Sequence, residues 1–288
     1  MSTVVQMVQG SAAWHAYRQT MRNASESAAV LGVSPWMTPY QLWLVKTGRS
    51  GVQANAAMSR GLELEPRARA AYEAAIGTVM QPLVMQDGQY SASLDGITLD
   101  GSLIVEIKCP MRGQESELWR AVAVGDVPRH YGIQIQHQLM VSGATQATLW
   151  VFDGSEGEVV HIERDESTMA AIRESWDAFQ SFLDGDVPPP LAEADVRQRD
   201  DSGWAAAAAT YLEAKRSAEA TEKALEAAKA TLAAMASHPK ESGSGVTVTR
   251  FWKKGNVDYK SIPVLHGFDV EPYRGKGREE LRFAVRNG

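Results

Sequence analysis

Short strand-like segments beside Asp-Gly dipeptides are the feature that most constrains how this chain folds. Asp-Gly pairs favour tight turns, because glycine accepts backbone angles that other residues avoid. We therefore predict a small meander of strands joined by tight turns. The segments are Val79–Gln86, Gln89–Leu94 and Ser102–Lys108, and the dipeptides are Asp87-Gly88, Asp95-Gly96 and Asp100-Gly101.

Apolar residues at helical spacing precede and follow the meander. Helix, meander, helix and strand in this order predict a mixed α/β core. Two strands are predicted after the meander, at Ala147–Phe152 and Glu158–Glu163. The predicted helices lie within Ala12–Thr47, over Pro39–Thr47 and from Gly61 to Gly77, and then over Gln114–Val124, Pro128–Val141 and Ser167–Leu183.

Charge is distributed unevenly along the chain. The net charge of −6 over 288 residues argues, taken alone, against a basic nucleic-acid-binding surface. Residues 1–62, however, carry five basic residues and one acidic residue, and residues 246–288 carry nine basic and five acidic residues. Residues 153–201 carry fourteen acidic residues and four arginines. The whole-chain charge therefore does not exclude a DNA-binding groove.

The chain has a single cysteine, Cys109, which we expect to be a small buried apolar residue. One cysteine excludes a disulfide framework and any zinc or iron–sulfur site built on cysteines. The N-terminus lacks the pattern of a signal peptide, and no apolar run approaches the roughly 18 residues of a membrane span. These features predict a soluble intracellular protein without membrane contact.

Pro188-Pro189-Pro190 ends the predicted core. We predict a domain over residues 1–187, a linker over residues 188–202 and a C-terminal extension over residues 203–288. A basic β-hairpin is predicted near the end, with Val246–Lys253 as its first strand and Lys254-Gly255-Asn256 as its turn. Before it, an Ala-rich helix is expected to dock on a partner helix or on the core through a coiled-coil-like seam of Trp204, Tyr211, Ala218, Leu225 and Leu232.

Asp95, Glu106 and Lys108 are the residues most suited to chemistry. A period of two along a strand places Glu106 and Lys108 on one face, and the preceding turn can bring Asp95 beside them. Two carboxylates at this spacing suit a hard cation such as Mg²⁺, and a nearby lysine can orient or help to deprotonate metal-bound water. The group predicts metal-assisted hydrolysis of a phosphodiester. Such triplets also occur on solvated strands.

Four blocks of sequence surround these residues, and together they are more specific than any one of them. The blocks are Ala13-Trp14-His15 with Arg18 and Ser25-Glu26; Gly61 with Glu65 and Ala68-Arg69; Ser93-Leu94-Asp95-Gly96 with Val105-Glu106-Ile107-Lys108-Cys109-Pro110; and Tyr131 with Gln134, Gln136 and Val141. In these blocks the chain resembles the lambda-exonuclease and YqaJ-type viral recombinase family of the PD-(D/E)XK nuclease superfamily, over about residues 10–185. The resemblance implies a restriction-endonuclease-like α/β core, with a mixed central sheet flanked by helices, to which the C-terminal extension is added.

The resemblance implies a role for each matching residue. Lys108 would position the attacking water, and Gln134 would hold the lysine or that water. Two Mg²⁺ ions are implied, for which Mn²⁺ would substitute. The metal ligands would be Asp95, Glu106, Glu65 and the Ile107 carbonyl.

The resemblance also implies a pocket for the 5′-phosphate of the degraded strand. A guanidinium and two hydroxyl groups suit phosphate oxygens. The family has another phosphate-binding arginine where this chain has Gln114, and Arg112 is the nearby replacement. An apolar side chain that wedges the terminal base pair would correspond to Met58. The pocket residues would be Arg18, Ser25 and Ser93.

Each of these residues also has a simpler interpretation. Glu65 suits an exposed helix position, Arg18 can pair with Glu26 on an adjoining turn, and Met58 suits ordinary packing. Solvated helix positions are the alternative for Gln134, Gln136 and His137, and core positions are favoured over base-stacking positions for Trp14 and Trp36.

By this resemblance the protein would be a Mg²⁺-dependent 5′→3′ exonuclease that digests one strand of double-stranded DNA for phage-type recombination. Its partners would be DNA ends, a single-strand annealing protein and two further copies of the chain in a trimeric ring. The resemblance also implies that the protein is encoded by a phage or prophage and acts in the bacterial cytoplasm. Alternatives are an endonuclease or Cas4-like nuclease of the same superfamily, or a catalytically retired DNA-binding subunit; the single cysteine argues against the Cas4-like alternative. The basic N-terminal helices would border the DNA, and residues 153–201 would face away from it.

Overall fold

A computed structural model describes residues 2–51 and 55–250, which fall into two compact units that divide after Arg197. The helices of the first unit are α1 Ala12–Thr20, α2 Ser27–Val30, α3 Pro39–Lys46, α4 Ala56–Ile76, α5 Glu117–Ala123, α6 Arg129–Ser142 and α7 Glu166–Asp184. Its strands are β1 Thr3–Val5, β2 Arg22–Asn23, β3 Met80–Asp87, β4 Tyr90–Thr98, β5 Leu103–Lys108, β6 Gln146–Phe152 and β7 Gly157–Glu163. The mixed α/β core predicted from the sequence is confirmed.

One mixed sheet organises the first unit. Its strands follow the order β1-β3-β4-β5-β6-β7, and the short β2 pairs with the start of β4. Neighbours along this path are antiparallel except β5 and β6, which run parallel. Strand β5 is therefore a central strand, hydrogen-bonded on both sides.

Helices cover both faces of the sheet. On one face, α6 packs against the sheet and against α2 and α7, and Ile133 and Leu139 of α6 join Leu94 and Ile104 in the larger apolar core. On the other face, α4 packs on β5, with Tyr72 in a second apolar cluster. The hydroxyl groups of Tyr72 and Thr148 of β6 form a hydrogen bond of 2.6 Å, which ties α4 to the sheet.

The turn predicted at Asp95-Gly96 is wrong, because both residues lie inside β4. Gly96 pairs with Val105 across the β4–β5 ladder. A Cβ at Gly96 would lie 2.7 Å from Met80 Cβ and 2.9 Å from Val105 Cγ1, so the position has no room for a side chain. Glycine is needed here for close packing within the sheet and not for a turn.

Helix α4 begins earlier than the sequence predicts. The expected start was Gly61, but Asn55 caps the helix by accepting a hydrogen bond of 2.9 Å from the backbone N–H of Met58. The first turn of α4 therefore includes Met58. The C-terminal end agrees with the prediction, since Gly77 ends the helix with a φ of 69°.

The second unit contains α8 Ser202–Met235 and the hairpin of β8 Lys240–Gly243 and β9 Val246–Thr249. Asp201 caps α8 by accepting a hydrogen bond of 2.9 Å from the Trp204 N–H. No residue of α8 is buried, so the predicted seam is exposed along its length. Residues 246–249 form a strand as predicted, but they pair with the preceding residues. The turn predicted at residues 254–256 lies outside the described residues.

Within residues 2–51 and 55–250, no helix is both long enough and apolar enough to cross a membrane.

Candidate active site

The antiparallel pairing of β4 and β5 brings Asp95 next to Glu106 and Lys108. The ladder includes the pairs Gly96–Val105 and Ile97–Ile104. One residue beyond Gly96, Asp95 Oδ2 accepts a hydrogen bond of 2.8 Å from the backbone N–H of Ile107. The carboxylate of Asp95 is thus tied to the strand residue between Glu106 and Lys108. The sequence-based grouping of these residues is found in the structure, although it arises from strand pairing and not from a turn.

Glu106 is the centre of a hydrogen-bonded group. Only 2% of its surface is exposed, and a buried carboxylate needs donors to replace water. Oε1 accepts hydrogen bonds from Lys108 Nζ and from Gln134 Nε2, the latter at 2.6 Å. Oε2 accepts one from Gln138 Nε2 at 2.5 Å. Gln134 is partly buried and contacts the carboxylate, so it is not simply a solvated helix position.

Gln138 is the site residue that the sequence analysis missed. It is 1% exposed, and it lies four residues after Gln134 on α6. Residues four apart lie on the same face of a helix, so the spacing alone would have placed both amides toward the same partner. The two glutamines together give each oxygen of Glu106 an amide donor.

Lys108 contacts an aromatic ring as well as Glu106. Its Nζ lies 5.3 Å from the ring centre of Tyr131 on α6, within the range of a cation–π interaction. Burial lowers the pKa of Lys108, but the charges of Glu106 and Asp95 outweigh burial and raise the pKa above its ordinary value. The side chain is therefore held as an ammonium group.

Glu65 lies near the other carboxylates, but its direct partner is Arg69. The two side chains form an ion pair of 3.0 Å one helical turn apart on α4. Burial raises the pKa of Glu65, Arg69 opposes this, and the charge of Glu106 raises it further. Burial also raises the pKa of Asp95 well above its ordinary value, and Glu106 adds to that shift. Crowded, partly desolvated carboxylates of this kind are stabilised by a cation.

The residues predicted to bind metal do not form a ready-made cluster. Within residues 2–51 and 55–250, no group of three or more His, Cys, Asp or Glu side chains lies close enough together to hold a metal ion. Glu106 instead interacts with the cationic Lys108 and two amide donors. Asp95 and Glu106 nonetheless supply carboxylate oxygens, which is the donor chemistry that a hard divalent cation requires.

The residues predicted to bind a 5′-phosphate gather around Trp14. Arg18 donates a hydrogen bond of 2.9 Å to Ser25 Oγ, and its guanidinium lies 4.7 Å from the Trp14 ring centre. Trp14 Nε1 donates one of 3.0 Å to Ser93 Oγ. Arg18 also contacts Glu26 at 3.3 Å, as the simpler interpretation predicts. Trp14 is only partly buried, so it links these side chains and is not a core residue.

Arg112 and Met58 are exposed. Arg112 precedes a short 3₁₀ helix, and within the described ranges no hydrogen bond or ion pair joins it to Arg18, Ser25 or Ser93. Gln114, which stands where the family has an arginine, donates a hydrogen bond of 2.8 Å to Asp153 in the β6–β7 turn. The first turn of α4 presents Met58 with 47% of its surface exposed, which argues against ordinary packing.

The solvated positions considered for His137 and Gln136, and the core position favoured for Trp36, are wrong. His137 is fully buried, and its Nδ1 lies 2.6 Å from Ser27 Oγ, which also accepts a hydrogen bond of 2.9 Å from Trp176 Nε1. Gln136 is 6% exposed and donates to the Glu163 carbonyl at 2.7 Å. Trp36, expected in the core, is 67% exposed.

Part of the chain is similar to a known protein family. Residues 13–145 match the family described as the YqaJ-like viral recombinase domain. This segment, which is less than half of the chain, is similar to that family. The match contains Arg18, the acidic residues of the site, and Gln134 and Gln138.

One curated protein and two solved structures are also similar to this chain. The uncharacterized protein YqaJ of Bacillus subtilis (strain 168) is 26% identical over 188 residues, which cover 61% of this chain and 57% of that protein. The chain thus spans less than two thirds of that relative's length. Crystal structures of LHK-Exo, an alkaline exonuclease from Laribacter hongkongensis, alone and with dAMP, are 27% identical, with a TM-score of 0.53, covering 61% of this chain and 94% of theirs.

Proposed function

We propose that this protein is a Mg²⁺-dependent exonuclease that digests one strand of double-stranded DNA from its 5′ end and leaves a 3′ single strand. The observation that carries the proposal is the hydrogen-bonded group in which Lys108 and Gln134 both donate to Glu106, with Asp95 beside them. The similarity to LHK-Exo, an alkaline exonuclease, supports the choice of exonuclease within the nucleases.

The oxygen donors of the site fit a divalent cation, and Mg²⁺ is the metal that we assign to it. The side chains of Asp95, Glu106 and Glu65 and the Ile107 carbonyl would hold two ions, for which Mn²⁺ would substitute. A bound Mg²⁺ polarises a phosphodiester and activates water for attack. The amides of Gln134 and Gln138 keep both oxygens of Glu106 in place, which limits reorganisation during the reaction.

Lys108 acts on the attacking water by orientation. Its ammonium group is in contact with Glu106 and lies over the Tyr131 ring, so it has donors and no free lone pair. It can hold the oxygen of a water molecule, or stabilise negative charge that develops on the phosphate. Removal of a proton from that water therefore falls to another group.

Recognition of the DNA end is assigned to the side chains around Trp14. Arg18, Ser25 and Ser93 would bind a terminal 5′-phosphate, with Arg112 as a further contact. Met58, which is exposed in the first turn of α4, would separate the terminal base pair. Binding at a phosphorylated 5′ end would give the enzyme its direction of digestion.

The wider setting follows from the same proposal. The 3′ single strand would be used in recombination by strand annealing, with a single-strand annealing protein as partner. A trimeric ring would keep the enzyme on its DNA. The protein would be phage or prophage encoded and would act in the bacterial cytoplasm. The basic N-terminal helices would border the DNA, and the acidic residues 153–201 would face away from it.

The test is digestion of linear duplex DNA that is labelled at either the 5′ or the 3′ end, with and without Mg²⁺. We expect release of nucleotides from the 5′ label only, and loss of that release in Glu106→Gln and Lys108→Ala. Glu63→Gln is the matched control, because Glu63 is an exposed residue of the same fold, on α4. Undiminished digestion by both site variants would falsify the proposal.

Two substrates separate the alternatives. Cleavage of closed circular DNA would identify an endonuclease. Binding of DNA ends without hydrolysis under any tested divalent metal would identify a retired DNA-binding subunit.

A further inference from the structure

Trp36 is an exposed tryptophan beside the candidate active site. It lies in the segment between α2 and α3, and 67% of its surface is exposed. Its ring centre is 4.7 Å from that of His130 and 5.7 Å from that of Tyr131, both on α6. A large apolar ring that is exposed to water at such a place is typical of a binding surface, because a partner that covers the ring gains the free energy of burying it.

The aromatic contacts of Trp36 lead directly to Lys108. The rings of His130 and Tyr131 lie 4.2 Å apart, and Lys108 Nζ lies 5.3 Å from the Tyr131 ring centre. Lys108 in turn contacts Glu106. A ligand that lies on Trp36 is therefore one aromatic ring away from the residues assigned to hydrolysis.

The segment that carries Trp36 is held in place at both ends. The backbone N–H groups of Val33 and Ser34 donate to the Ala28 carbonyl at 2.9 and 3.0 Å. The Trp36 N–H donates to Ser34 Oγ at 3.2 Å. On the other side, Thr38 caps α3 in a capping box with Gln41. A ring on a fixed segment loses little conformational entropy when it binds a ligand.

The chemistry of the cluster suits a nucleobase better than a phosphate. Trp36 and Tyr131 are uncharged, and burial together with the charge of Lys108 lowers the pKa of His130, so that its ring is neutral at neutral pH. Flat, uncharged rings stack on bases of any sequence. A phosphate would instead require cationic or N–H donors directed at it.

We propose that Trp36 is a stacking platform for the nucleobase next to the scissile phosphodiester. The inference rests on the proposed function and deepens it by assigning a subsite for the base. Stacking at this point would hold the terminal nucleotide of the degraded strand while its phosphodiester lies at Lys108 and Glu106. Trp36 is thus a positioning residue for substrate, and it takes no part in proton transfer.

The first test compares DNA ends that carry a base with ends that carry an abasic nucleotide at the terminal position of the degraded strand. For the wild-type protein we expect the abasic end to raise KM about tenfold, in line with the free energy of one aromatic–base stack. Trp36→Ala should show that higher KM on both ends, and Trp36→Phe should recover part of the difference. Trp204→Ala is the control, because Trp204 is also exposed, at 53%, and lies in the second unit.

The second test does not depend on hydrolysis. A 2-aminopurine at the same terminal position loses fluorescence when it stacks, and we expect quenching on binding to the wild-type protein but not to Trp36→Ala. Equal sensitivity of wild type and Trp36→Ala to the missing base, or equal quenching by both, would overturn the platform. If the wild-type protein quenches the fluorescence and Trp36→Ala does not, but neither protein digests DNA, the platform would be supported and the proposed nuclease overturned.

Discussion

Gln138 donates a hydrogen bond to Glu106, with 2.5 Å between Nε2 and Oε2. Both residues are almost fully buried, and the bond crosses from α6 to the central strand β5. Lys108 and Gln134 both contact the other oxygen of Glu106, so Gln138 is the donor that fixes the orientation of the carboxylate plane. Gln138 is therefore a positioning residue for the group on which the proposed chemistry depends.

Gln138→Leu should lower kcat for duplex digestion while leaving KM for DNA nearly unchanged. A hydrogen bond to a charged group contributes about 1.5–3 kcal/mol, which corresponds to roughly a tenfold to hundredfold loss of rate. Steady-state kinetics on labelled duplex gives both constants. The control is Gln136→Leu, since Gln136 lies on the same helix but donates to the Glu163 carbonyl. Equal losses of kcat in the two variants would show that Gln138 acts only through stability.

Gly96→Ala should destabilise the fold by about 1–3 kcal/mol, because the new methyl group has no space beside Met80 and Val105. The backbone shift needed to fit the methyl group would also move Asp95. The rate of digestion should therefore fall by more than the decrease in the fraction of folded protein explains. Gly61→Ala is the control: a Cβ there meets nothing within 4 Å, and alanine favours a helix by up to about 1 kcal/mol. Denaturant unfolding of both variants should give a lower free energy of unfolding for Gly96→Ala and a higher one for Gly61→Ala.

The buried His137 makes stability depend on pH. Burial lowers its pKa from 6.5 to about 3, and Arg173 contributes to the shift. The folded protein therefore keeps the ring neutral where the unfolded chain binds a proton. Above pH 6.5 the ring is neutral in both states and the folded protein keeps its full stability. As the pH falls from 6.5 toward about 3, the unfolded chain binds a proton that the folded protein does not, and stability is lost. The free energy of unfolding should fall by about 1.4 kcal/mol per pH unit across this range from this group.

The variant His137→Gln isolates that contribution from those of the carboxylates. Urea unfolding of wild type and variant between pH 3 and 6.5 should give a shallower slope for the variant. Identical slopes would mean that the ring is protonated in the folded state.

Arg18→Ala should reduce the preference for 5′-phosphorylated over 5′-hydroxyl ends. The guanidinium already donates to Ser25, and its loss removes the charged donor of the proposed pocket. Initial rates on matched duplexes with the two kinds of end measure the preference. Arg49→Ala is the control, because Arg49 pairs with Asp186 at 2.7 Å and is not part of the proposed pocket. An unchanged preference in Arg18→Ala would remove Arg18 from the phosphate site.

The regular elements could be predicted from the sequence because each has a clear period. The predicted strand Ser102–Lys108 and the observed strand Leu103–Lys108 differ by one residue at the start. The grouping of Asp95, Glu106 and Lys108 also followed from strand geometry. Gly96 misled the prediction, since a glycine needed for close packing has the same sequence pattern as a glycine in a turn.

Helix α6 shows why the rest of the site was harder to predict. Its polar residues Gln136, His137 and Gln138 are all buried, because α6 lies between the sheet on one side and α2 and α7 on the other. Polar residues in a helical sequence suggest a solvated face. A helix that is covered on several sides has no such face, so its polar residues are buried. Trp36 is the opposite case, because tryptophan is a residue type that suggests a core position, whereas Trp36 lies exposed in a short connection.

The position of β5 in the middle of the sheet has a consequence for hydrogen exchange. Glu106 and Lys108 lie on a strand that pairs along its length with β6 and, on its other side, with β4. Amide protons of such a strand exchange only when most of the domain opens. The chemical groups of the site and the core of the fold should therefore be lost in one cooperative step.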